Sequence, residues 1–234
     1  MNRVRGLIVL IIGVLLAPGC AEKKPSYGFE RQLIWPEPNA TVWAIAPAVN
    51  LSGERPIDPL LQADLLYQQV QQVAGITVIP VNRVAEVYAS LRIDRVQSPE
   101  QAALVCDLLG CDGLLVPTVT IFDPYTPPKF GGALQLFRPK GPLARQAALD
   151  VRELARSARP GPNESLPHGG DFSQAVGMFD AANGTVRDAV LVYAGGRNDP
   201  EGPLGAKEYF VSMDRFCGFA YHSLLRELID SAAQ

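Results

Sequence analysis

One segment constrains the fold more than any other: Thr41–Val49 is apolar at almost every position. Only Thr41 in this run has a polar side chain. A strand with one solvent-exposed face alternates apolar and polar residues, whereas a strand that is buried on both faces is apolar throughout. The segment therefore predicts a central strand with both of its faces covered.

Three helices are predicted after this strand from capping residues and helical spacing. Asp58 is followed by Pro59, so a capping carboxylate precedes a proline in the first turn. Ser98 and Gln101 have the spacing of a capping box. The predicted helices run from the cap at Asp58 to Gly75, from the cap at Asn82 to Leu91, and from the cap at Ser98 to Gly110. Short strands are predicted at Ile76–Val81 and Gly113–Phe122.

Further strands and one long helix are predicted in the second half of the chain. Gly132–Phe137 is predicted to be a strand, and Gly205–Ser231 a helix with one apolar face. Between them, Phe172–Tyr193 contains two apolar runs around Asn183-Gly184, and Asn-Gly is the strongest short signal for a hairpin of two antiparallel strands. The predicted order is βαβααββββα, an α/β (α+β) fold with a mixed sheet and helices packed on it.

The amino terminus has the pattern of a secretory signal. Arg3 and Arg5 precede Gly6–Ala17, a run without charged or polar side chains. A membrane-spanning helix needs roughly 18 to 20 apolar residues, so this run is short for a permanent anchor. Residues 1–19 are therefore predicted to be a signal peptide that is removed.

The end of that signal resembles a bacterial lipobox, in which a small residue precedes a cysteine that is acylated. The family usually has Leu three residues before the cysteine and a small residue next, whereas here Ala17 and Pro18 precede Gly19 and Cys20. The resemblance implies a lipid anchor on Cys20, and no other cofactor is expected. Because Ala21 rather than Asp follows, it implies the outer membrane, facing the periplasm. The alternatives are a cleaved signal of a secreted protein and, third, an uncleaved anchor.

Composition and charge indicate how the rest of the chain is organised and which partners it excludes. Residues 20–39 contain prolines and no sustained periodicity, so we predict a flexible tether. Residues 40–234 are predicted to form a single periplasmic domain, with a surface excursion at 138–171 that holds at most one helix, Leu143–Arg156. The chain has a formal net charge of -3 and no basic cluster interleaved with aromatic residues, which argues against a nucleic-acid partner.

Several stretches together resemble a known α/β module. They are Thr41–Pro47, Asn50–Gly53, Ile76–Pro80 and Leu109–Val116. The module is shared by curli-secretion-channel lipoproteins, penicillin-binding-protein-activator lipoproteins and the amino-terminal domain of the Tol-Pal translocation protein. The resemblance covers about residues 40–122, although the aromatic residue of the family is replaced by Ala48. It implies a role in assembly or partner binding in the cell envelope, with a homo-oligomer as a further expectation.

The resemblance does not extend to the curli pore. A shared barrel needs long segments that alternate apolar and polar residues. Residues 126–171, where a barrel hairpin would be inserted, show no such alternation. The pore function is therefore not expected.

The thiols offer one candidate disulfide and no catalytic pair. Cys106 and Cys111 would lie about 8 Å apart on a straight helix, beyond the usual limit of about 6.8 Å between bridged alpha carbons, unless the chain turns back at Gly110. The alternative is that both are small buried apolar side chains. Cys217 and His222 are five residues apart on one predicted helix, which places them on different faces. No spacing fits a metal site, and no catalytic residues are assigned.

A candidate partner surface follows the strand that ends near Phe122. Its residues are Asp123, Pro124, Tyr125, Pro127, Pro128 and Phe130. Ser52-Gly53-Glu54 follows another strand end, and ligands often bind at such ends in α/β sheets. The alternative is a loop stiffened by proline. We expect a non-catalytic envelope module that binds a protein partner; the alternative is a periplasmic enzyme, a hydrolase or a thiol oxidoreductase.

Overall fold

A computed structural model describes residues 32–54, 57–139, 170–197 and 202–233 of the chain. Within these ranges, six strands form one mixed sheet. The strands are β1 Thr41–Ile45, β2 Val49–Asn50, β3 Ile76–Val78, β4 Gly113–Asp123, β5 Lys129–Pro139 and β6 Gly170–Asp180. Their order across the sheet is β3-β1-β4-β5-β6, with β2 beside β4.

The sheet has a parallel half and an antiparallel half. β1 is parallel to β3 and β4, and the short β2 continues along β4 in the same direction. β4, β5 and β6 are long and antiparallel to one another. Helices connect the parallel strands because a parallel pair needs a long crossover.

Helices cover both faces of the parallel half. They are α1 Pro59–Val70, α2 Val81–Leu91, α3 Pro99–Leu109, α4 Gly184–Ala194 and α5 Met213–Ala232, with a 3-10 helix at Gly205–Phe210. The larger core joins Trp43 and Ile45 of β1 to α1, α4 and α5, and the smaller core joins Ala44 to α2 and α3. The predicted fold class is confirmed, and so is the burial of β1 on both faces. No helix within the described ranges has the length and hydropathy to cross a membrane.

Two of the predicted caps are confirmed. Asp58 Oδ1 accepts a hydrogen bond from the backbone N–H of Leu60 at 2.9 Å, and Ser98 Oγ accepts one from that of Gln101 at 3.3 Å. Gly110 ends α3 in the left-handed conformation, at φ 66°. These signals act within one helical turn, so they depend on few other residues.

Two other helix boundaries differ from the prediction. α1 ends at Val70 rather than at Gly75, because Ala74 pairs with the chain at Leu33 and Trp35 and so leaves the helix. α2 begins at Val81 after Pro80, without a side-chain cap, so Asn82 lies inside the first turn.

The tether is shorter than predicted. The backbone N–H of Ala74 donates to Leu33, and that of Trp35 donates to Ala74, both at 2.9 Å. The Trp35 ring is buried and packs edge-on against Trp43, with 4.9 Å between the ring centroids. Burying an indole removes a large apolar surface from water, so the folded domain includes residues 33–35.

The excursion is also narrower than 138–171. β5 continues to Pro139 and β6 begins at Gly170, where the two strands are still paired. The predicted helix Leu143–Arg156 lies outside the described residues, as do the signal peptide and Cys20.

The predicted hairpin around Asn183-Gly184 is wrong. β6 ends at Asp180, and Asn183 caps α4 by accepting a hydrogen bond from the N–H of Thr185 at 2.9 Å. The apolar residues that follow have helical spacing: Val186, Val190, Tyr193 and Ala194 pack on the larger core. The predicted final helix is divided in a similar way, because Ser212 caps α5 after the separate 3-10 helix.

Candidate functional site

The two loops that the sequence marks separately meet in one cleft. β2 pairs with β4 at Val49 and Thr118, so the loop after β2 lies beside the end of β4. The cleft has a volume of about 530 Å³. It is lined by Ser52, Glu54, Thr120, Ile121, Phe122, Asp123, Pro124 and Tyr125.

Short-range hydrogen bonds hold both loops in place. Asn50 Oδ1 accepts hydrogen bonds from the backbone N–H of Ser52 at 3.0 Å and from its hydroxyl at 2.8 Å. Asn50 Nδ2 donates to the Glu54 carbonyl at 2.7 Å. On the other side of the cleft, Asp123 Oδ1 accepts from the N–H of Tyr125 at 3.2 Å. A surface that is ordered before binding loses less entropy when a partner docks.

Only part of the predicted partner surface is exposed. Tyr125 is 81% exposed, and Pro124 and Pro127 are exposed as well. Pro128 and Phe130 are buried, and the Phe130 ring packs edge-on against Tyr221, 5.2 Å between centroids. Pro128 and Phe130 must therefore be removed from the partner surface; the alternation of β5 directs Phe130 into the core.

A second exposed apolar region adjoins the cleft and was missed in the sequence. Ile121 and Met178 are both paired with Gly131, so the three residues share one face of the sheet. The Ile121 side chain lies over Gly131, where a Cβ would be only 3.0 Å away. Because glycine has no side chain of its own, Ile121 and Met178 are neighbours across it.

The region continues along β6. Met178, Val176 and Phe172 point to the same face and are 67%, 61% and 57% exposed. We call these three residues the apolar face of β6. Helices α2 and α3 cover this side of the sheet only toward Leu114, Val116 and Phe137. The alternating pattern is visible in the sequence and predicts a strand, but it does not indicate that the apolar side of this strand is exposed.

β6 is also the last strand of the sheet within the described residues. All eleven of its residues are paired with β5 on one side. An edge strand presents backbone N–H and C=O groups that can pair with an added strand. The cleft, Ile121 and the apolar face of β6 therefore lie near the terminal strand of the sheet in the described part of the chain.

The three cysteines within the described residues, Cys106, Cys111 and Cys217, are free and buried in the structure. Burial raises the pKa of Cys217, whose nearest polar neighbour in this effect is Gln62. His222 packs instead against the Tyr193 ring, with 5.0 Å between centroids. Cys217 and His222 thus have different neighbours, in agreement with their predicted placement on different faces. The predicted disulfide between Cys106 and Cys111 stays a prediction.

A smaller cavity of about 330 Å³ lies beside His222. Burial, and secondarily the charge of Arg197, lower the pKa of His222 to about 4. The lining residues are Gln32, Leu33, Gln69, Gln72, Val73, Arg197 and His222. This set has no serine, cysteine or carboxylate that could act as a nucleophile. In the described ranges, no group of three His, Cys, Asp or Glu side chains could hold a metal ion.

Comparison with known proteins does not assign a family. No model of a known protein family and no curated protein matches the chain. Lipoprotein GNA1162 from Neisseria meningitidis is 15% identical; the match covers 51% of this chain and 99% of that one, with a TM-score of 0.32. Hypothetical protein CT253 from Chlamydia trachomatis is 12% identical over 82% of this chain and 95% of that one, with a TM-score of 0.37.

A PelC dodecamer from Paraburkholderia phytofirmans is also similar. It is 10% identical, the match covers 82% of this chain and 87% of that chain, and the TM-score is 0.33. All three likenesses are distant, and none of them identifies a function.

Proposed function

We propose that this protein is a non-catalytic lipoprotein of the cell envelope that binds a partner protein. The observation that carries the proposal is the group of exposed apolar side chains, Tyr125, Ile121 and the apolar face of β6, on the cleft and the sheet face beside it. Monomeric proteins rarely expose contiguous apolar patches larger than roughly a few hundred Å², and patches above this size mark interaction sites. Tyrosine and methionine are also enriched where proteins bind one another.

The surface favours a protein partner over a small ligand. Its apolar side chains lie on an open face of the sheet, whereas small-molecule sites enclose most of their ligand. The adjacent edge of β6 offers main-chain groups to an extended segment of the partner. The alternative function is an enzyme; the cavity beside His222 has no serine, cysteine or carboxylate among its lining residues.

The anchor in this proposal is a lipid on Cys20, and its place is the outer membrane, facing the periplasm. Support comes from the signal-like pattern of residues 1–19 and from the lipobox resemblance. The tether is then shortened to the residues between Cys20 and Leu33, which would hold the domain near the membrane surface.

Replacing the acylated cysteine tests the anchor. We expect Cys20→Ser to abolish labelling by a palmitate analogue and to shift the protein out of the detergent phase, because the acceptor thiol is gone. The matched control is Cys217→Ser, which should label like the wild type. Equal labelling of both variants would exclude lipid attachment at Cys20.

Replacing one residue of the apolar face of β6 tests the partner surface. We expect Val176→Lys to reduce recovery of a specific partner from detergent-solubilised membranes by about tenfold or more, since a buried charge at a contact costs well over 1 kcal/mol. Partner recovery would be quantified by mass spectrometry.

The matched control is Val211→Lys. Val211 is 52% exposed, and its neighbours Phe210 and Met213 pack on the core at the other face of the sheet. A photo-crosslinking residue at position 178 should capture the same partner that Val176→Lys loses. If both lysine variants recover the same partners as the wild type, the contact surface lies elsewhere on the domain.

A further inference from the structure

The chain turns back at the end of α3, which brings two cysteines together. Gly110 adopts the left-handed conformation, and the backbone N–H of Cys111 donates to the carbonyl of Cys106 at 3.0 Å. On a straight helix, the alpha carbons of Cys106 and Cys111 would lie about 8 Å apart. The chain leaves the helix at Gly110, so this distance does not apply and does not argue against a bond between the two sulfurs.

The two side chains lie in the same small core. Cys106 and Cys111 are 1% and 8% exposed, and both belong to the cluster formed by α2 and α3. The two thiols are close enough for each to affect the pKa of the other. Cys217 belongs to the other core and has no cysteine neighbour in these contacts.

The environment gives the two thiols different reactivities. The interaction with Cys111, together with burial, raises the pKa of Cys106, whereas the interaction with Cys106 lowers the pKa of Cys111. The thiolate is the nucleophile in thiol–disulfide exchange. Cys111 is also the more exposed of the two.

We propose that Cys106 and Cys111 form a reversible disulfide, in which Cys111 reacts first with a disulfide oxidant and Cys106 then completes the bond. The motivating observation is the turn at Gly110, which places both cysteines in one small buried cluster.

The electrons and protons balance with a disulfide as the oxidant. The Cys111 thiolate attacks one sulfur of the oxidant, forms a mixed disulfide and releases the other oxidant sulfur as a thiol. Cys106 loses its proton, attacks the Cys111 sulfur and releases the second oxidant thiol. Two protein thiols are oxidised, and one oxidant disulfide is reduced to two thiols.

The disulfide would lie next to the point where β1 and β4 are joined by hydrogen bonds. Next to Cys111, the backbone N–H of Asp112 donates to the Val42 carbonyl at 2.7 Å, and Asp112 Oδ2 accepts from the N–H of Val42 at 2.8 Å. A disulfide would therefore join the end of α3 to the point where β1 and β4 are clamped together.

The test counts thiols in the full chain after treatment with oxidised glutathione. The protein is quenched with acid, unfolded, alkylated without reduction and mapped by mass spectrometry. We expect Cys106 and Cys111 to be protected together, in a peptide that is lighter by the two hydrogens lost. Cys217 is the internal control and should be alkylated. Alkylation of all three thiols, or linkage to Cys217, would overturn the proposal.

Single replacements test the order of the two steps. Cys106→Ser should leave Cys111 trapped as a mixed disulfide with glutathione, because the resolving thiol is missing. Cys111→Ser should leave Cys106 alkylated and without glutathione. The reverse pattern would contradict the assignment of Cys111 as the first nucleophile, and the measurement on the unsubstituted protein would still decide whether the bond forms.

Discussion

Gly132 shows how one residue limits what the sheet can contain. It is paired with Val119 in the middle of β5, beside the irregularity that separates Val119 from Ile121 in β4. A Cβ at Gly132 would lie 2.6 Å from the carbonyl oxygen of Thr118. That oxygen belongs to the backbone of a paired strand, so it cannot move aside without disturbing the sheet.

We expect Gly132→Ala to lower the free energy of unfolding by about 2 kcal/mol, the usual scale for a group forced into a packed site. Urea unfolding monitored by circular dichroism would measure it. The matched control is Gly184→Ala in the first turn of α4, where a Cβ would meet nothing within 4 Å. Equal stability of the two variants would show that β4 can relax around the added carbon.

At the scale of elements, α4 depends on a cap that can be misread as a turn. Asn-Gly favours a tight hairpin turn when two strands flank it. Here Asp180 Oδ1 accepts a hydrogen bond from the N–H of Ala182 at 2.8 Å, and Asn183 then caps the helix. The next residues bury Val190, Tyr193 and Ala194 on one face of a helix. Burial of that face decides between the two conformations.

We expect Asn183→Ala to destabilise the protein by about 1 kcal/mol, because the N–H of Thr185 loses its acceptor. Chemical unfolding would measure the change. Asn82→Ala is the matched control, since Asn82 is exposed inside α2 and makes no capping hydrogen bond. A loss at Asn82 as large as at Asn183 would contradict the assignment of the caps.

At the scale of the whole molecule, α5 holds the larger core together and carries the buried His222. α5 packs on α1, on β5 and on β6. His222 contacts the Tyr193 ring of α4. The Arg197 guanidinium lies over the same ring, 4.3 Å from its centroid. Burial disfavours the charged imidazolium there, and the Arg197 charge adds to that effect.

This burial predicts that the protein is less stable in acid. The pKa of His222 is lowered from 6.5 to about 4, so the unfolded chain binds a proton that the folded chain excludes. Above pH 6.5, His222 is neutral in both states, and its contribution to the free energy of unfolding is fully present. As the pH falls from 6.5 to about 4, only the unfolded chain gains the proton, and this contribution is lost. The loss is at most about 3 kcal/mol.

The non-titrating variant His222→Gln isolates this contribution from the carboxylates. Unfolding free energies of both proteins would be measured between pH 7 and pH 4. We expect the curve of the wild type to fall more steeply over this range. Parallel curves would show that His222 is protonated as easily in the folded state as in the unfolded state.

The sequence by itself determined the features that depend on close neighbours. The apolar run of β1 predicts burial on both faces, and the caps at Asp58 and Ser98 and the end at Gly110 were correct. Each of these signals acts through backbone groups within about one helical turn. The fold class follows from them, because strands buried on both faces need helices on both sides.

Only the tertiary structure decided what depends on residues far apart in the chain. Pairing of Ala74 with Leu33 ends α1 early, and packing of Tyr193 on the larger core makes α4 a helix. Register between β4, β5 and β6 buries Phe130 and places Ile121 beside Met178 across Gly131. A shift of one residue in that register would exchange the two faces of a strand, so local sequence could not determine which apolar residues stay exposed.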